Sequence, residues 1–280
     1  MVSIYKNIKR ETGFWISKSL PIKIKKGISK GLLLYGNLFY NRRPNELHEE
    51  EFLYSNLDLK GKVIIEAGSH IGIHTLFFAK QINSGNIIAF EPNPLNYYFL
   101  CKNIKINSFT NVIPVNAGLA DKEGILHFLS YRYNSAKGTF KTDKQEIIKK
   151  SKKKLTKIDV PVTTIDNAVK KYSLDTVDFV KIDTEGFEPY VIEGMKITLE
   201  KFNPVLYFEI HGLNDSQKQE DLKRIIKFIM EFGYVVVKLS KGLPQVTRDN
   251  IEKFGGGGYI AYQKMDKSLE QAVGYWKNYT

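Results

Sequence analysis

Apolar segments of strand length alternate with amphipathic segments of helix length through most of this 280-residue chain. From Val63 the order is KVIIEAG, HTLFFAKQI, NIIAFEP, PLNYYFLCKNIKIN and NVIPVNAG. Later segments are DFVKID, EPYVIEGMKITLEKF, PVLYFEI, KQEDLKRIIKFIMEFG, YVVVKL and YIAYQ. Buried apolar strands separated by amphipathic helices are typical of a parallel sheet covered by helices on both faces. The sequence therefore predicts a doubly wound α/β domain.

Three segments fall outside this alternation. An irregular apolar series with internal glycines predicts a short helical appendage over residues 1–55, before a main domain over 56–265 and a C-terminal tail over 266–280. Between the third strand and Asp166 no clean strand–helix unit appears. Because this irregular excursion leaves the sheet near its carboxyl edge, where open α/β sheets bind ligands, we expect residues 130–157 to form a lid or acceptor loop.

Charge and cysteine content limit the function classes. The net charge is +12, to which residues 1–50 contribute 10 Lys/Arg against 4 Asp/Glu and residues 141–157 contribute 8 Lys against 2 acids. Two basic segments on a neutral body would suit an anionic acceptor, nucleic acid or an anionic membrane surface, while the simpler interpretation is a solvated surface with a Lys-rich loop. A single cysteine excludes an internal disulfide framework, and neither a spanning apolar segment nor a secretory signal pattern is present. We therefore expect a soluble, cytoplasmic protein.

The turn after the first strand, in VIIEAGSHIGIHT, indicates a ligand site. A dinucleotide fingerprint, G-x-G-x-x-G, would need a glycine where Glu66 stands, and the spacing of Gly68 and Gly72 does not match it. A carboxylate near the helix N-terminus would also repel a pyrophosphate. S-adenosylmethionine fits better, because it carries a cationic amino group and a sulfonium and has no phosphate.

The next two strand ends supply matching groups. Glu91 ends the second strand nineteen residues after Gly72, where a carboxylate can accept hydrogen bonds from both hydroxyls of a ribose. Asn116 and Ala117 end the third strand, where an adenine edge would lie. Each feature alone also fits a structural role, since Glu91 before Pro92 could cap a helix. The combination favours S-adenosylmethionine.

The sequence resembles the FkbM-type methyltransferases, a branch of the class I S-adenosylmethionine-dependent enzymes. The matching segments are IIEAGSHIGIHTLFFA, IIAFEPNP, NAGLADKEG, TTIDNAV, VDFVKIDTEGFEPYVIEGM and PVLYFEIHG. The resemblance implies a Rossmann-like seven-stranded sheet, with YVVVKL and YIAYQ as a hairpin-like pair, and methyl transfer to an acceptor oxygen, often a hydroxyl of a sugar or glycosylated natural product. His70 departs from the family, which more usually has asparagine in this turn. The candidate cofactor-binding residues are Glu66, Gly68, Ser69, His70, Gly72, Thr75, Glu91, Pro92, Asn93, Asn116, Ala117 and Asp183.

Transfer to a hydroxyl needs in-line alignment and a base or metal that removes the proton. Asp183 and Glu185 follow the fourth strand, and Glu209 and His211 end the fifth, so these groups can converge at ends about 5 Å apart. We predict that His211 accepts the proton, with Glu209 or Glu185 orienting it and Asp183 at the methionine end of the cofactor or on the acceptor. Alternatively, Asp183, Glu185 and Glu209 could hold Mg²⁺. A structural role, with Glu185 capping a helix, stays open.

The acceptor is predicted from weaker signals. Asn134 and Ser135 in the polar part of the lid, and Glu188 at the next helix, are the candidate substrate-binding residues. We predict an O-methyltransferase of a surface polysaccharide or glycosylated metabolite, with an anionic or lipid-linked acceptor as one option because of the Lys-rich run. A nucleic-acid methyltransferase would fit the basic composition, but the N-P-P-Y-type tetrapeptide is replaced by D-T-E-G, so no nucleic acid is expected. A non-catalytic cofactor-binding module and a homo-oligomer also stay open.

Overall fold

The structure is a computed structural model that describes residues 16, 18–37, 40–42, 49–131, 134–141, 155–264, 267, 269–271, 273 and 274. The side chains of residues 42, 49, 52, 131, 134–137, 155 and 156 are outside this description. All statements below concern the described residues.

Strands and helices alternate along the chain as the sequence predicts from Val63 onward. The strands are β1 (Ile22–Lys23), β2 (Leu33–Leu34), β3 (Val63–Ala67), β4 (Asn86–Phe90), β5 (Val112–Val115), β6 (Gly118–Leu119), β7 (Gly124–Tyr131), β8 (Asn134–Thr139), β9 (Leu155–Thr163), β10 (Phe179–Ile182), β11 (Val205–Ile210), β12 (Val235–Lys238), β13 (Gln245–Val246) and β14 (Gly257–Tyr262). The α-helices are α1 (Glu49–Asn56), α2 (Ile73–Ile82), α3 (Pro94–Ile106), α4 (Ile165–Lys171), α5 (Glu188–Glu193), α6 (Lys196–Phe202) and α7 (Asp215–Met230).

The main sheet has the strand order β13-β12-β14-β11-β10-β3-β4-β5. Strands β11, β10, β3, β4 and β5 are parallel, while β14 is antiparallel to both β11 and β12. This confirms the doubly wound α/β fold and the pairing of YVVVKL with YIAYQ. In the described residues the main sheet has eight strands, one more than predicted. The additional strand is β13, whose two residues are too few to show a periodic pattern.

The central strands are buried on both faces. Successive side chains point to opposite sides of a sheet, so adjacent buried residues show burial of both faces. Ile64 and Ile65 are adjacent and fully buried, yet they belong to different hydrophobic clusters, one on each face. Helix α7 contributes Leu222, Ile225 and Ile229, whose spacing puts them on one face of the helix. These two cores hold the carboxyl ends of the parallel strands in a fixed register.

The segment predicted to be irregular contains a second sheet. Strands β7 and β9 pair antiparallel from Gly124↔Val162 to Tyr131↔Leu155, and the strand order is β6-β9-β7-β8. The expectation of an irregular excursion is therefore wrong for these strands. Pro161 and the charged residues of β9 disfavour a strand in sequence terms, although its buried positions Val160 and Val162 do alternate with exposed ones. Residues 142–154 of the predicted lid lie outside the described residues.

The N-terminal region is helical only in part. A two-stranded hairpin of β1 and β2 precedes α1, with Ile22 opposite Leu34. The hairpin packs on α3, where Asn103 and Asn107 accept hydrogen bonds from the backbone N–H groups of residues 35 and 33. The helical appendage predicted over residues 1–55 is thus corrected for the hairpin, whose backbone groups pair between its two strands and with side chains of α3.

The predicted tail over residues 266–280 is described only in part. Leu269 and Val273 are buried against the main sheet. Among the helices described, none has the length and apolar content needed to cross a bilayer.

Candidate functional site

The candidate site is a cleft of about 290 Å³ at the carboxyl ends of the parallel strands, and it is partly open to solvent. The strand order β11, β10, β3, β4 fixes the order of groups along it. Glu209 and His211 lie at the end of β11, Asp183 follows β10, Gly68 follows β3 and Glu91 follows β4. One cleft therefore joins the predicted donor-binding end to the predicted acceptor end.

The glycine turn is shaped by close backbone packing. Gly68 and Gly72 have φ angles of 85° and 93°, in the left-handed region. A Cβ on Gly68 would lie 2.0 Å from the carbonyl oxygen of Asp183, and one on Gly72 would lie 2.7 Å from Leu100 Cδ1. The absence of a side chain at Gly68 lets the ends of β3 and β10 meet under the cleft, and its absence at Gly72 lets the turn pack against α3.

His70 occupies the turn in a left-handed conformation, with φ 51°. Asparagine adopts this conformation more readily than most residues, so the departure from the family concerns a position with a backbone requirement. Burial lowers the pKa of His70 to about 4, so the ring is neutral. Its backbone N–H donates to Oε2 of Glu91 at 2.7 Å, which ties the turn to the second strand end.

Glu91 is held by three hydrogen bonds. Besides the bond from residue 70, Oε1 accepts from the backbone N–H of Asn93 at 2.9 Å and from Nδ2 of Asn96 at 3.1 Å. Burial raises the pKa of Glu91 to about 7, against the lowering effect of these donors. A carboxylate offers about four lone-pair positions, so this fixed carboxylate retains acceptor capacity toward the cleft.

The neighbouring candidates divide into lining and supporting residues. Pro92 and Ala117 line the cleft. Asn93 caps α3 through a bond from the Leu95 N–H, and Asn116 donates to the carbonyl oxygen of Glu91 at 2.9 Å. Both asparagine side chains therefore support the loop that carries Glu91, and neither lines the cleft.

A buried group of charges lies beneath the glycine turn. Lys181 pairs with Glu66 in the register of β10 and β3, and its Nζ lies 3.8 Å from Glu66 Oε1 and 3.4 Å from Asp183 Oδ2. Thr75 Oγ1 donates to Glu66 Oε2 at 2.5 Å. Glu66 and Thr75 are 1% and 0% exposed and lie outside the cleft lining, so they are placed as supports of the turn.

Lys181 was missed in the sequence, although a lysine inside the apolar strand FVKID followed by an acid is an available signal. Burial disfavours its charge, but Asp183 and Glu66 outweigh this effect and raise its pKa. Burial raises the pKa of Glu66, while Lys181 opposes the shift. Burial likewise disfavours the charge of Asp183, but Lys181, His211 and His74 together lower its pKa. The cleft floor thus carries an ionised Asp183.

A second cavity of about 210 Å³ adjoins the first across Gly68, His70 and Asp183. Its remaining lining residues are Tyr40, Glu50, Glu51, Ser69, Ile73, His74 and Lys181. Ser69, predicted from the turn, therefore faces this cavity. No motif in the sequence indicates that α1 and His74 line this cavity.

His211 is held by a buried carboxylate. Its Nδ1 lies 3.2 Å from Glu188 Oε1 and 3.1 Å from the carbonyl oxygen of Glu209, and its Nε2 faces Asp183 Oδ1 at 3.9 Å and Glu209 Oε1 at 3.6 Å. Glu188 is 0% exposed and also accepts from the N–H groups of Gly186 and Thr184. Glu188, predicted to bind substrate, lies outside the cleft lining and contacts His211, and its contact with an acceptor stays a prediction.

The protonation states at this end differ from those the sequence suggested. Burial disfavours the imidazolium of His211, but Glu188, Asp183 and Glu185 raise its pKa to about 9. Burial and the nearby Asp183 raise the pKa of Glu209 to about 7. Near neutral pH the imidazole is therefore protonated, whereas Glu209 is close to half ionised.

One ligand atom from each of Asp183, Glu209 and His211 lies within 4.8 Å of the others, so this set could hold a metal ion. Glu185, predicted as a ligand alongside Asp183 and Glu209, is outside the set. It adopts a left-handed φ of 57°, its carbonyl oxygen accepts from Thr139 Oγ1 at 3.1 Å, and it lines the cleft.

The small sheet forms one wall of the cleft through Phe128, Gly138 and Phe140. The two phenylalanine rings make an edge-to-face contact with centroids 4.9 Å apart. Asn134 and Ser135 lie in β8, but their side chains are outside the described residues, so their predicted contact with substrate stays a prediction.

The doubly wound sheet carries a glycine turn after β3, an acid after β4 and a final antiparallel pair, β12 and β14. This is the fold of a class I S-adenosylmethionine-dependent methyltransferase. The sequence profile of the methyltransferase FkbM domain matches residues 66–236, and the chain belongs to that family.

Curated relatives of the chain include proteins that are named methyltransferases. The hexuronic acid methyltransferase AglP of Haloferax volcanii is 30% identical over 189 residues, covering 67% of this chain and 67% of that protein. Methyltransferase sdnD of Sordaria araneosa is 27% identical over 154 residues, covering 47% of this chain and 60% of that protein. Among solved structures, the FkbM methyltransferase of Methylobacillus flagellatus KT has a TM-score of 0.48 and 13% identity, covering 93% of this chain and 60% of that chain. The chain thus spans about three fifths to two thirds of the length of these proteins.

Proposed function

We propose that the chain transfers a methyl group from S-adenosylmethionine to a hydroxyl of a sugar or glycosylated acceptor. The observation that carries the proposal is the single cleft that contains both Glu91 and the pair Glu209 and His211. A donor bound at one end would present its reactive group to an acceptor at the other.

The donor end fits S-adenosylmethionine by its chemistry. Glu91 is rigidly held and retains acceptor capacity for ribose hydroxyls, while Ala117 and Leu119 offer an apolar surface for an adenine ring. Asp183 is ionised and lies beside the glycine turn, where a cationic sulfonium and amino group would be stabilised. When bound, the cofactor supplies an electrophilic methyl group on sulfur.

At the acceptor end we assign the proton acceptor to Glu209. A base works best when its pKa lies near the operating pH, and the pKa of Glu209 is about 7. His211, with a pKa of about 9, carries a proton already and would donate from Nε2 to the acceptor oxygen, which favours the ionised hydroxyl. This reverses the roles that the sequence suggested for the two residues.

A metal-assisted route is the alternative at the same residues. Carboxylate contact with one ring nitrogen, as Glu188 makes with Nδ1 of His211, is the usual way proteins orient a metal-binding histidine. The set Asp183, Glu209 and His211 includes an imidazole, which suits Mn²⁺ or other transition metals better than the predicted Mg²⁺.

A sugar acceptor is supported by the relative AglP and by the charges of the cleft. Asp183, Glu185 and Glu209 would repel a phosphate backbone, so a nucleic-acid acceptor is disfavoured at this end. An anionic or lipid-linked acceptor would need the Lys-rich run over residues 141–157, most of which lies outside the described residues.

The test is a methyl-transfer assay with neutral hexosides, hexuronic acids and oligonucleotides, read by mass spectrometry of the products. We expect methylated sugar and no methylated oligonucleotide. Parallel reactions with EDTA, Mg²⁺ or Mn²⁺ separate the two routes, since activity that survives EDTA supports Glu209 as base and activity restored by Mn²⁺ supports the metal. Methylation of oligonucleotides alone would overturn the proposal.

A further inference from the structure

The outer face of α3 and the adjoining residues 16–20 expose apolar side chains away from the cleft. The exposed fractions are 43% for Ile16, 60% for Leu20, 46% for Tyr98 and 38% for Ile106. Single exposed apolar residues are ordinary, but a group of them on one face marks an interaction surface.

These side chains form one surface with several lysines. At about 100° per residue, Tyr98, Lys102, Lys105 and Ile106 fall within an arc of about 100° on α3. Lys102 Nζ donates to the carbonyl oxygen of Lys18 at 2.5 Å, and Lys18 Nζ lies 5.8 Å from the centre of the Tyr98 ring. Lys18, with the described residues 16, 19 and 20 beside it, therefore lies along α3. The basic apolar surface is defined as Ile16, Lys18, Leu20, Tyr98, Lys102, Lys105 and Ile106.

The charge around this surface has one sign. Residues 16–37 contain 5 lysines and residues 94–109 contain 2, and neither segment contains an aspartate or glutamate. Lys23, Lys25 and Lys105 are exposed. Apolar side chains surrounded by cations complement the interface of an anionic bilayer, where apolar groups enter the acyl boundary and ammonium groups meet headgroups.

We propose that the basic apolar surface docks this protein on an anionic lipid bilayer. Binding is peripheral and reversible, because four partly exposed apolar side chains insert far less apolar area than a spanning helix. Each lysine close to an anionic bilayer strengthens binding by about fivefold, so the electrostatic contribution is large and sensitive to salt.

The position of the surface relates it to the cleft. Helix α3 begins at Pro94, three residues after Glu91, and Tyr98 is four residues, or about 6 Å, along the helix. One end of the basic apolar surface therefore lies close to the sheet edge that carries the cleft. Docking would bring that edge near the bilayer, whether or not the proposed methyl acceptor is correct.

The experiment is vesicle co-sedimentation of the full chain. Vesicles of phosphatidylcholine alone are compared with vesicles that also contain phosphatidylglycerol, at low and high salt. The test variant is Lys105→Glu with Ile106→Glu. The same two residue types stand next to each other and exposed at Lys196 and Ile197 on α6, so Lys196→Glu with Ile197→Glu is a control with the same change of charge.

We expect binding to the anionic vesicles that falls at least tenfold in the α3 variant, and at high salt, and that is nearly unchanged in the α6 variant. Leu20→Glu, which leaves α3 intact, should reduce binding in the same direction. Absence of anionic-vesicle binding, or equal loss in both double variants, would overturn the proposal. Sedimentation velocity tests whether the surface binds a second copy of the chain instead. Self-association that is lost in Leu20→Glu, with no vesicle binding by the unmodified chain, would assign the surface to a second copy and contradict bilayer docking.

Discussion

The two ends of the cleft are built in different ways. At the donor end, the Glu91 carboxylate is fixed by three hydrogen bonds from residues near it in the chain or in the adjacent turn. At the acceptor end, His211 Nε2 faces Glu209 Oε1 at 3.6 Å and Asp183 Oδ1 at 3.9 Å, and burial and the charges of these neighbours together shift the pKa values of Glu209 and His211. The first arrangement is suited to positioning a ligand, whereas the second is suited to moving a proton.

The largest expected effect comes from Lys181, which bridges Glu66 beneath the glycine turn and Asp183 on the cleft floor. Lys181→Met leaves Glu66 and Asp183 as buried charges without their cation, and we expect a loss of about 3–5 kcal/mol in the free energy of unfolding. Urea denaturation measures it. Lys62→Met is the control, because Lys62 pairs with Asp178 at 3.3 Å but is 37% exposed, and its loss should cost less than about 1 kcal/mol. Equal effects of the two variants would contradict the bridging role.

Glu209→Gln separates chemistry from binding. Loss of a general base typically costs about 10²–10⁴-fold in rate, so kcat should fall by that factor while the KM for S-adenosylmethionine stays within about twofold. Steady-state kinetics with a sugar acceptor measures both. An unchanged kcat would mean that another group takes the proton.

Gly68→Ala tests the meeting of the two strand ends. The new methyl group would lie 2.0 Å from the Asp183 carbonyl oxygen, and we expect a destabilisation of about 2–4 kcal/mol from overpacking and left-handed strain. Gly31→Ala is the matched control, since Gly31 has φ 94° but no atom within 4 Å of the added Cβ. The difference between the two unfolding free energies isolates the clash from the strain.

Glu91→Ala should act on the donor alone. Loss of two charge-assisted hydrogen bonds to a ribose would raise the KM for S-adenosylmethionine by about 10–100-fold, with kcat at saturating donor less affected. If kcat instead fell by about 10–100-fold while the KM for S-adenosylmethionine stayed unchanged, Glu91 would lie outside the donor site.

The pH dependence concerns the acceptor end alone and is the smallest expected effect, a change of about tenfold in rate per pH unit. The rate should rise as Glu209 loses its proton through about pH 7 and fall as His211 loses its own through about pH 9. His211→Gln should remove the alkaline limb and keep the acidic one. The charge of His211 should also stabilise the fold fully below its usual pKa of 6.5, with that stability lost as pH rises through about 9.

The donor end could be predicted from the sequence because its determinants are local. A strand end, two glycines and an acid at the next strand end fix the turn and Glu91 within about thirty residues. The acceptor end was predicted only as a set of residues. The register Ile182↔Phe208 brings Asp183 level with Glu209, and the hydrogen bond and charge of Glu188 raise the pKa of His211 against the effect of burial. Such distances depend on packing between distant elements, which residue patterns do not encode.

The small sheet also depends on contacts between distant segments of the chain. Strand β9 contains Pro161 and Asp159, which locally disfavour a strand, yet the ladder with β7 and the burial of Val160 and Val162 override them. The hairpin of β1 and β2 likewise depends on Asn103 and Asn107 of α3, far along the chain.

Calorimetric titration with S-adenosylmethionine tests the central claim, that one cleft binds the donor at Glu91 and performs chemistry at Glu209. The unmodified chain should bind the cofactor, Glu91→Ala should bind at least tenfold more weakly, and Glu209→Gln should bind like the unmodified chain. Absence of binding by the unmodified chain, or equal affinity of the Glu91→Ala variant, would contradict the account.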